Sequence, residues 1–511
     1  MRRLAAVLFA VVLTALAMGT VPTSANADVA GSSLTMTSST PLAQGDEVTF
    51  SFTTAGPSGT NWVGIYSGST PPGDGASITW SYTPGASGTV TLDTSSLSGG
   101  PYTAYLLANN GYGILATSAP FSFQPYVAPP NPSFAISDFT ARTVRTGRPF
   151  SAQLGGLWVR PTGSVGGAPT FQRVSGDSWL SVSADGTVSG TAPAKAPSRP
   201  SLITVQATDT AGHSEQLTVE VPVIAANAEQ TLKTASLNLW DAGTHVDTPL
   251  QKQIAIVLGE DLDVVALQET NGTSATQLAN ALGWYSYQST GDLGVISRYP
   301  LSNPLAPTAA LPAAAVTVNL TATSAVRVWT AHLDETAYGP YAACLDGRSA
   351  AQILAAEQAT TRAAQATALA AAMRSDIRKD RTVPVVLAAD LASPSGLDWT
   401  ARTSAAHCSV GAVNWPVTAT LAQTGLVDTY RQLHPNPSTD PGNTWSPVLA
   451  LHPGSTVAEP QDRIDYVDYA GALRPLAADS LVTGWPKDEP NTAGNSWPSD
   501  HAAAVATFLV Q

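Results

Sequence analysis

The sequence predicts a multidomain chain in which two all-β sandwiches precede an α/β domain built on packed sheets. Three observations carry this expectation. Residues 28–124 alternate apolar and polar positions between Gly, Ser and Pro turns, as in EVTFSFTT, NWVGIYSG and GTVTLDT. A period of two with frequent turn signals and no helical period is the mark of short half-buried strands. Residues 134–224 continue in the same texture, with Asp185-Gly186 placed between WLSVS and TVSGT as a hairpin turn. From Leu232 onward, apolar strand-like runs such as VVALQ, LGVISRY, AVRVWTAHL, VPVVLAAD and AAVATFLV alternate with helical stretches, the pattern of an α/β domain. At 511 residues the chain is too long for one ordinary core.

In chain order, residues 1–27 read as a signal peptide. Arg2 and Arg3 form a basic start, Leu4 to Met18 an apolar run, and Ala25-Asn26-Ala27 an A-x-A cleavage site. The apolar run is short for a membrane span, which needs about 20 residues. The expectation is cleavage near Ala27, export, and no stable membrane insertion. Residues 125–133 are Pro-rich and read as a stiff linker between the β modules. The α/β domain is expected over residues 230–511. Its helices are expected at Pro249 to Leu258, at Ser274 to Leu282, and along the Ala-rich stretch from Gly347 to Met373.

The formal net charge is −13, and cleavage would remove two arginines and no acid, leaving about −15. An acidic chain lacks the basic footprint that drives sequence-independent nucleic-acid binding. Charge therefore weighs against a polymeric DNA substrate, although a bound cation restores positive charge locally. The two cysteines, Cys344 and Cys408, read as a disulfide in an exported chain, with two free thiols as the alternative. Trp62, Tyr66, Trp80 and Tyr82 form either an exposed aromatic strip or alternating core positions of the first sandwich. The β modules are expected to position the rest of the chain or to bind a surface polymer.

Six segments of the C-terminal region place Asn, Asp, Glu or His at or near the ends of apolar runs. They are SLNLW with Asn238, LQE with Glu269, TAHLD with His332, LAADLASPS with Asp390, DRIDY with Asp465, and PSDH with Asp500 and His501. Hard oxygen ligands together with two histidines are what Mg²⁺-assisted attack of water on a phosphate ester requires. No P-loop, H-E-x-x-H or G-x-S-x-G motif occurs in the sequence. Ser499 lies two residues from His501, too close in sequence for a Ser–His–Asp arrangement.

In this order, and with SRYPL at Ser297 to Leu301, the segments resemble the endonuclease/exonuclease/phosphatase superfamily over roughly Leu232 to Gln511. The second β module resembles immunoglobulin-like modules of bacterial surface proteins. The first resemblance implies a four-layer α/β sandwich and a Mg²⁺- or Mn²⁺-dependent phosphoesterase. It implies that Glu269 is the principal metal ligand, with Asn238 and Asp500 assisting. Asp390 would be the general base that activates water. His332 and His501 would bind phosphoryl oxygens, with Asp465 fixing the tautomer of His501. Adjacent Asp500 and His501 can serve one site only if the strand is locally irregular. The stretch from Leu333 to Cys344 would be a substrate-side loop, with Asp334 and Tyr338 as substrate contacts. The implied substrate is a phosphate ester: a phospholipid headgroup, an inositol phosphate or nucleic acid.

One position departs from the superfamily pattern Gly-Asp-Phe-Asn. Here the residues are Ala389-Asp390-Leu391-Ala392, so the Asn is Ala392. Loss of one transition-state donor costs about 10²–10³ in rate by analogy with an oxyanion-hole donor. The alternative expectation is therefore an exported binding or adhesion protein on a weakened phosphoesterase fold.

Overall fold

The computed structural model describes residues 29–42, 46–68, 71–73, 76–94, 97, 99–124, 131–161, 164–379 and 382–511. The expected signal peptide and most of the Pro-rich linker lie outside these residues. The chain forms two compact units, Met1–Pro125 and Tyr126–Gln511. Among the described residues, no helix is long and apolar enough to cross a membrane.

The first unit contains two antiparallel sheets. One orders the strands Ser33–Met36, Val48–Thr53 and Ser87–Leu92. The other orders Thr79–Tyr82, Trp62–Ser67, Tyr102–Ala108 and Gly113–Thr117. Alternation decides which side chains enter the core. Val48, Phe50 and Phe52 point inward from one sheet to meet Val63, Ile65 and Leu106 of the other, while the intervening Thr49 and Ser51 stay partly exposed.

In the second unit, residues 133–224 form further sheets. The largest orders Thr170–Gly176, Ser201–Thr208, Ser214–Val221 and Asp138–Thr140. The Asp185-Gly186 turn closes the pair Leu180–Val182 and Thr187–Thr191. Asp185 accepts from the backbone N–H of Thr187 at 3.1 Å, and Gly186 takes a positive φ of 87°. These strands share a core with the C-terminal region, because Phe139, Leu154, Leu157 and Val221 pack in one cluster with Leu278 and Leu282. A Cβ on Gly156 would lie 2.1 Å from the Ala281 carbonyl oxygen. The turn at Gly155–Leu157 thus rests directly on the helix Ser274–Leu282.

The C-terminal region is built on two six-stranded sheets. The first orders Tyr285–Gln288, Gly294–Ser297, Val264–Gln268, Gln230–Asn238, Ala503–Val510 and Leu473–Leu481. The second orders Leu301–Leu305, Ala313–Asn319, Ala325–Ala331, Val385–Asp390, Asp465–Ala470 and Val427–Asp428. One face of each sheet contributes to a common apolar layer containing Leu232, Val264, Val328, Val386, Val467 and Phe508. The opposite face of the first sheet is covered by the helices Pro249–Gly259 and Ser274–Leu282. The opposite face of the second is covered by Thr361–Lys379 and Pro416–Ala422.

The Ala-rich stretch expected to be helical holds two helices, Ala350–Gln358 and Thr361–Lys379. Ser349 and Gln352 cap the first reciprocally. Between them, the Thr360 hydroxyl donates to the Glu357 carbonyl at 2.7 Å and accepts from the Ala363 N–H at 3.2 Å, which ends one helix and starts the next. Cys344 and Cys408 form a disulfide.

Candidate active site

Strand parity explains why the polar residues converge. Side chains two apart in a strand share a face. Leu232 lies in the layer between the sheets, and Asn238 has the same parity; the same relation links Val264 to Gln268, Val328 to His332, Val386 to Asp390 and Val467 to Asp465. The seam that is apolar along its length therefore becomes polar at one end. Gln268 bridges the two sheets by donating to the Thr330 hydroxyl at 3.0 Å, and Asp390 and Asp465 are direct partners on neighbouring strands.

Asn238 is the central strut. Its Nδ2 donates to Glu269 Oε1 at 2.9 Å and to Asp390 Oδ2 at 3.2 Å. Its Oδ1 accepts from the Trp240 N–H at 2.9 Å, so the amide oxygen is already engaged. Glu269 sits just past its strand in the left-handed region, at φ 54°. Trp240, Asp241 and Ala242 share that conformation, at φ 52°, 51° and 61°, and wrap around it. The Asp241 N–H donates to Glu269 Oε2 at 2.6 Å. Three consecutive non-glycine residues held left-handed store backbone strain at the site.

Two imidazoles flank Asp390. His332 Nδ1 bonds Asp292 Oδ2 at 2.8 Å, and its Nε2 lies 3.7 Å from Asp390 Oδ2. Burial alone would lower the pKa of His332. The hydrogen bond to Asp292 and the charges of Asp390, Asp292 and Glu269 outweigh it and raise the value to about 9. His501 Nδ1 bonds Asp465 Oδ2 at 2.9 Å and lies 3.8 Å from Asp390 Oδ2. Burial opposes its charge as well, yet Asp465 and Asp390 together hold its pKa well above the ordinary value.

The Asp500–His501 step is irregular, as one shared site requires. The strand begins only at Ala503, and His501 makes a lone bridge to Trp445. Ser499 ties this segment to the central strand by donating to the Asn238 carbonyl at 2.7 Å and accepting from the His501 N–H at 2.9 Å. Asp500 is pushed up to about 7, by burial first and then by the charges of Glu269 and Asp390, against the pull of His501. Its Oδ1 is buried without a hydrogen-bond partner.

An unpartnered buried carboxylate oxygen beside other acids is what a bound cation would satisfy. The donor set therefore fits a hard divalent metal. Glu269, His332 and Glu335 also offer ligand atoms within 4.8 Å of one another.

A cavity of about 290 Å³ opens on this cluster, walled by Tyr338, Tyr341, Trp445, Ala392 and Ile464 beside Asp390 and His501. Its aromatic wall hangs on buried carboxylates. Tyr341 and Trp445 each donate to Glu459 Oε1 at 2.7 Å, and Tyr338 donates to Asp462 Oδ2 at 3.3 Å. Burial pushes Asp462 up to about 7, although hydrogen bonds from Trp399 and Tyr338 lower it.

The structure thus gathers Asn238, Glu269, His332, Asp390, Asp465, Asp500 and His501, and sets Tyr338 in the cavity wall. It does not bring Asp334 there. That carboxylate accepts from the N–H and hydroxyl of Thr336 in a local turn, and Glu335 and Thr336 face the cavity instead. Sequence reasoning missed Asp292, the partner of His332. Its available signal was an acid in GDLG just before the strand Gly294–Ser297, which pairs with the strand ending at Gln268. It also missed Trp445 and Thr444. Thr444 accepts the Asp465 N–H at 3.0 Å, and neither residue stands in a strand with a readable period.

No family model matches the chain. A Caenorhabditis elegans protein, uncharacterized protein F14F9.5, is 33% identical over 291 residues, which are 54% of this chain and 91% of that protein. Several solved structures are similar over about half of the chain. TDP2 of D. rerio, complexed with a single-strand DNA product, aligns over 55% of this chain and 99% of its own at 14% identity, with a TM-score of 0.36. An endonuclease/exonuclease/phosphatase family protein of Bacteroides thetaiotaomicron aligns over 56% and 99% at 13% identity, with a TM-score of 0.35.

Proposed function

The chain belongs to the same family as the Caenorhabditis elegans protein F14F9.5, and on the geometry of its own site we propose that it is an exported, metal-dependent phosphoester hydrolase. We read its C-terminal region as the four-layer α/β sandwich of the endonuclease/exonuclease/phosphatase type. The observation that carries this reading is the placement of Asp390 between two Asp–His pairs, 3.7 Å from His332 Nε2 and 3.8 Å from His501 Nδ1.

Each residue has a role that its contacts support. His332 and His501 carry protons and bind the phosphoryl oxygens where charge builds in the transition state. Asp292 and Asp465 hold those rings by Nδ1 and fix their orientation. Asp390 takes the proton of the attacking water. Asn238 holds Glu269 and Asp390 in register across the seam. Glu269 and Asp500 would hold Mg²⁺ or Mn²⁺, which when bound polarises the phosphate. Among the described residues lining the cavity none is Lys or Arg, and the chain is acidic, at −13. A phospholipid headgroup, an inositol phosphate or another small ester is favoured over duplex nucleic acid on that ground.

The test is turnover of DNA, RNA, sphingomyelin, phosphatidylinositol, inositol phosphates and a generic phosphodiester with Mg²⁺ or Mn²⁺, against an EDTA blank. Metal-dependent hydrolysis is expected. Glu269→Ala is expected to lose Mn²⁺ binding, read independently by calorimetry. No turnover on any substrate, with metal still bound, would replace this reading with a silent binding protein.

The pH profile is set by His332. A group whose pKa is raised to about 9 keeps its proton, and its charge for phosphate, below that value. We expect kcat/KM to fall as pH rises through about 9, and His332→Gln to abolish that limb. A falling limb unchanged in His332→Gln assigns it to another group.

A further inference from the structure

We propose that the outer face of the four-stranded sheet in the N-terminal unit is a binding site for a neutral carbohydrate. The inner face of this sheet is ordinary core, with Val63 and Ile65 buried. The outer face carries the opposite parity of the same strands, and it is aromatic. Trp62 is paired with Tyr82, and Gly64 with both Trp80 and Tyr105.

Gly64 is what lets the rings lie across the sheet. A Cβ there would stand 2.7 Å from the Trp62 ring and 3.2 Å from the Tyr66 ring. Trp62 is pinned by its indole N–H, which donates to the Gly111 carbonyl at 3.1 Å. Trp80 meets Trp62 edge-on at 5.9 Å, Tyr82 meets Trp80 at 5.1 Å, and Tyr112 meets Trp62 at 6.1 Å. The two readings of the aromatic sequence therefore divide. Trp62 and Tyr66 are buried, while Trp80, Tyr82 and Tyr112 are 51%, 47% and 57% exposed.

With Ser77 and Asn110, these rings line an open cavity of about 320 Å³. At its margin the Tyr66 hydroxyl is buried. It lies close enough to Ser77 and Tyr112, both in the cavity wall, for their groups to act on it electrostatically.

The lining decides the class of ligand. Exposed rings want an apolar face, while Asn110, Ser77 and Tyr66 want donors and acceptors. A sugar presents both, a C–H face and a rim of hydroxyls. Among the described residues no charged side chain lines the cavity, so none of them holds a phosphate or an acidic polymer. Among the described lining residues there is also no Lys or Arg to supply the attraction that draws aromatic patches to anionic lipid.

The experiment uses the full chain and soluble oligomers of β-1,4-glucose, β-1,4-N-acetylglucosamine and α-1,4-glucose, read by tryptophan fluorescence and calorimetry. Vesicles of zwitterionic and anionic lipid form a separate arm. Saturable binding of at least one oligomer is expected. Trp80→Ala and Tyr112→Ala each remove an exposed ring, and each should weaken binding at least tenfold with unchanged circular dichroism and unchanged phosphoester turnover. The proposal is overturned by no saturable binding to any of the three oligomers, by binding that survives both substitutions, or by vesicle binding that the same substitutions abolish.

Discussion

Asp390→Asn lowers kcat by about 10²–10⁴-fold, the usual contribution of a positioned general base. The substitution keeps the size of the side chain and one of its two oxygens. Asp390 Oδ1 accepts the Ala392 N–H at 2.8 Å, and an amide oxygen can do the same. The other position becomes an amide facing Asn238 Nδ2, now 3.2 Å from an acceptor. One hydrogen bond is therefore lost locally, which costs about 1–3 kcal/mol. Against this, one buried carboxylate disappears next to Asp465, which relieves like-charge repulsion. The folded state is expected to survive, and thermal unfolding checks that. Mn²⁺ binding is also expected to persist, because Glu269 and Asp500 are the residues assigned to the cation. A loss of kcat below tenfold would remove Asp390 from the base's role. Loss of Mn²⁺ binding together with activity would move it to the metal instead.

Ala392→Asn raises kcat/KM by about tenfold or more, with a ceiling near 10²–10³ set by what one transition-state donor contributes. The backbone already suits the change. Ala392 sits at φ 47°, a left-handed conformation in which Asn is several-fold enriched and Ala is not. The residue is buried, at 4% exposure, and it forms part of the cavity wall beside Asp390 and His501. The cavity gives an amide room to reach a bound phosphoryl oxygen. Ala392→Leu is the size control, since it fills similar volume without a donor and should give no gain. Unchanged or reduced kcat/KM in a well-folded Ala392→Asn variant would mean that the missing amide is not what limits the rate, and that the space belongs to the substrate.

The sequence carried much of this architecture because its signals are local. The runs VVALQ and AAVATFLV coincide with the strands Val264–Gln268 and Ala503–Val510, and the helix expected from Ser274 to Leu282 has those bounds. The site residues were legible for the same reason, since Asn238, Asp390 and Asp465 stand at the ends of strands whose parity faces the seam. The split at Thr360 was not legible. It depends on one hydroxyl choosing the Glu357 carbonyl, and helix propensity summed over an Ala-rich window cannot see that choice.

By itself, then, the sequence determined the order of the β and α/β segments and the strands that carry the acids and histidines. Each of these is written in residue type and a period of two or 3.6. Only the tertiary structure decided the partners. Asp292 reaches His332 across 40 positions of chain, Asp334 turns onto Thr336 while Glu335 faces the cavity, and Gly64 lays the aromatic rings across the N-terminal sheet. The contact across 40 positions is fixed by how sheets stack, and the two local ones by how a loop turns or a ring lies, which no period of two or 3.6 records.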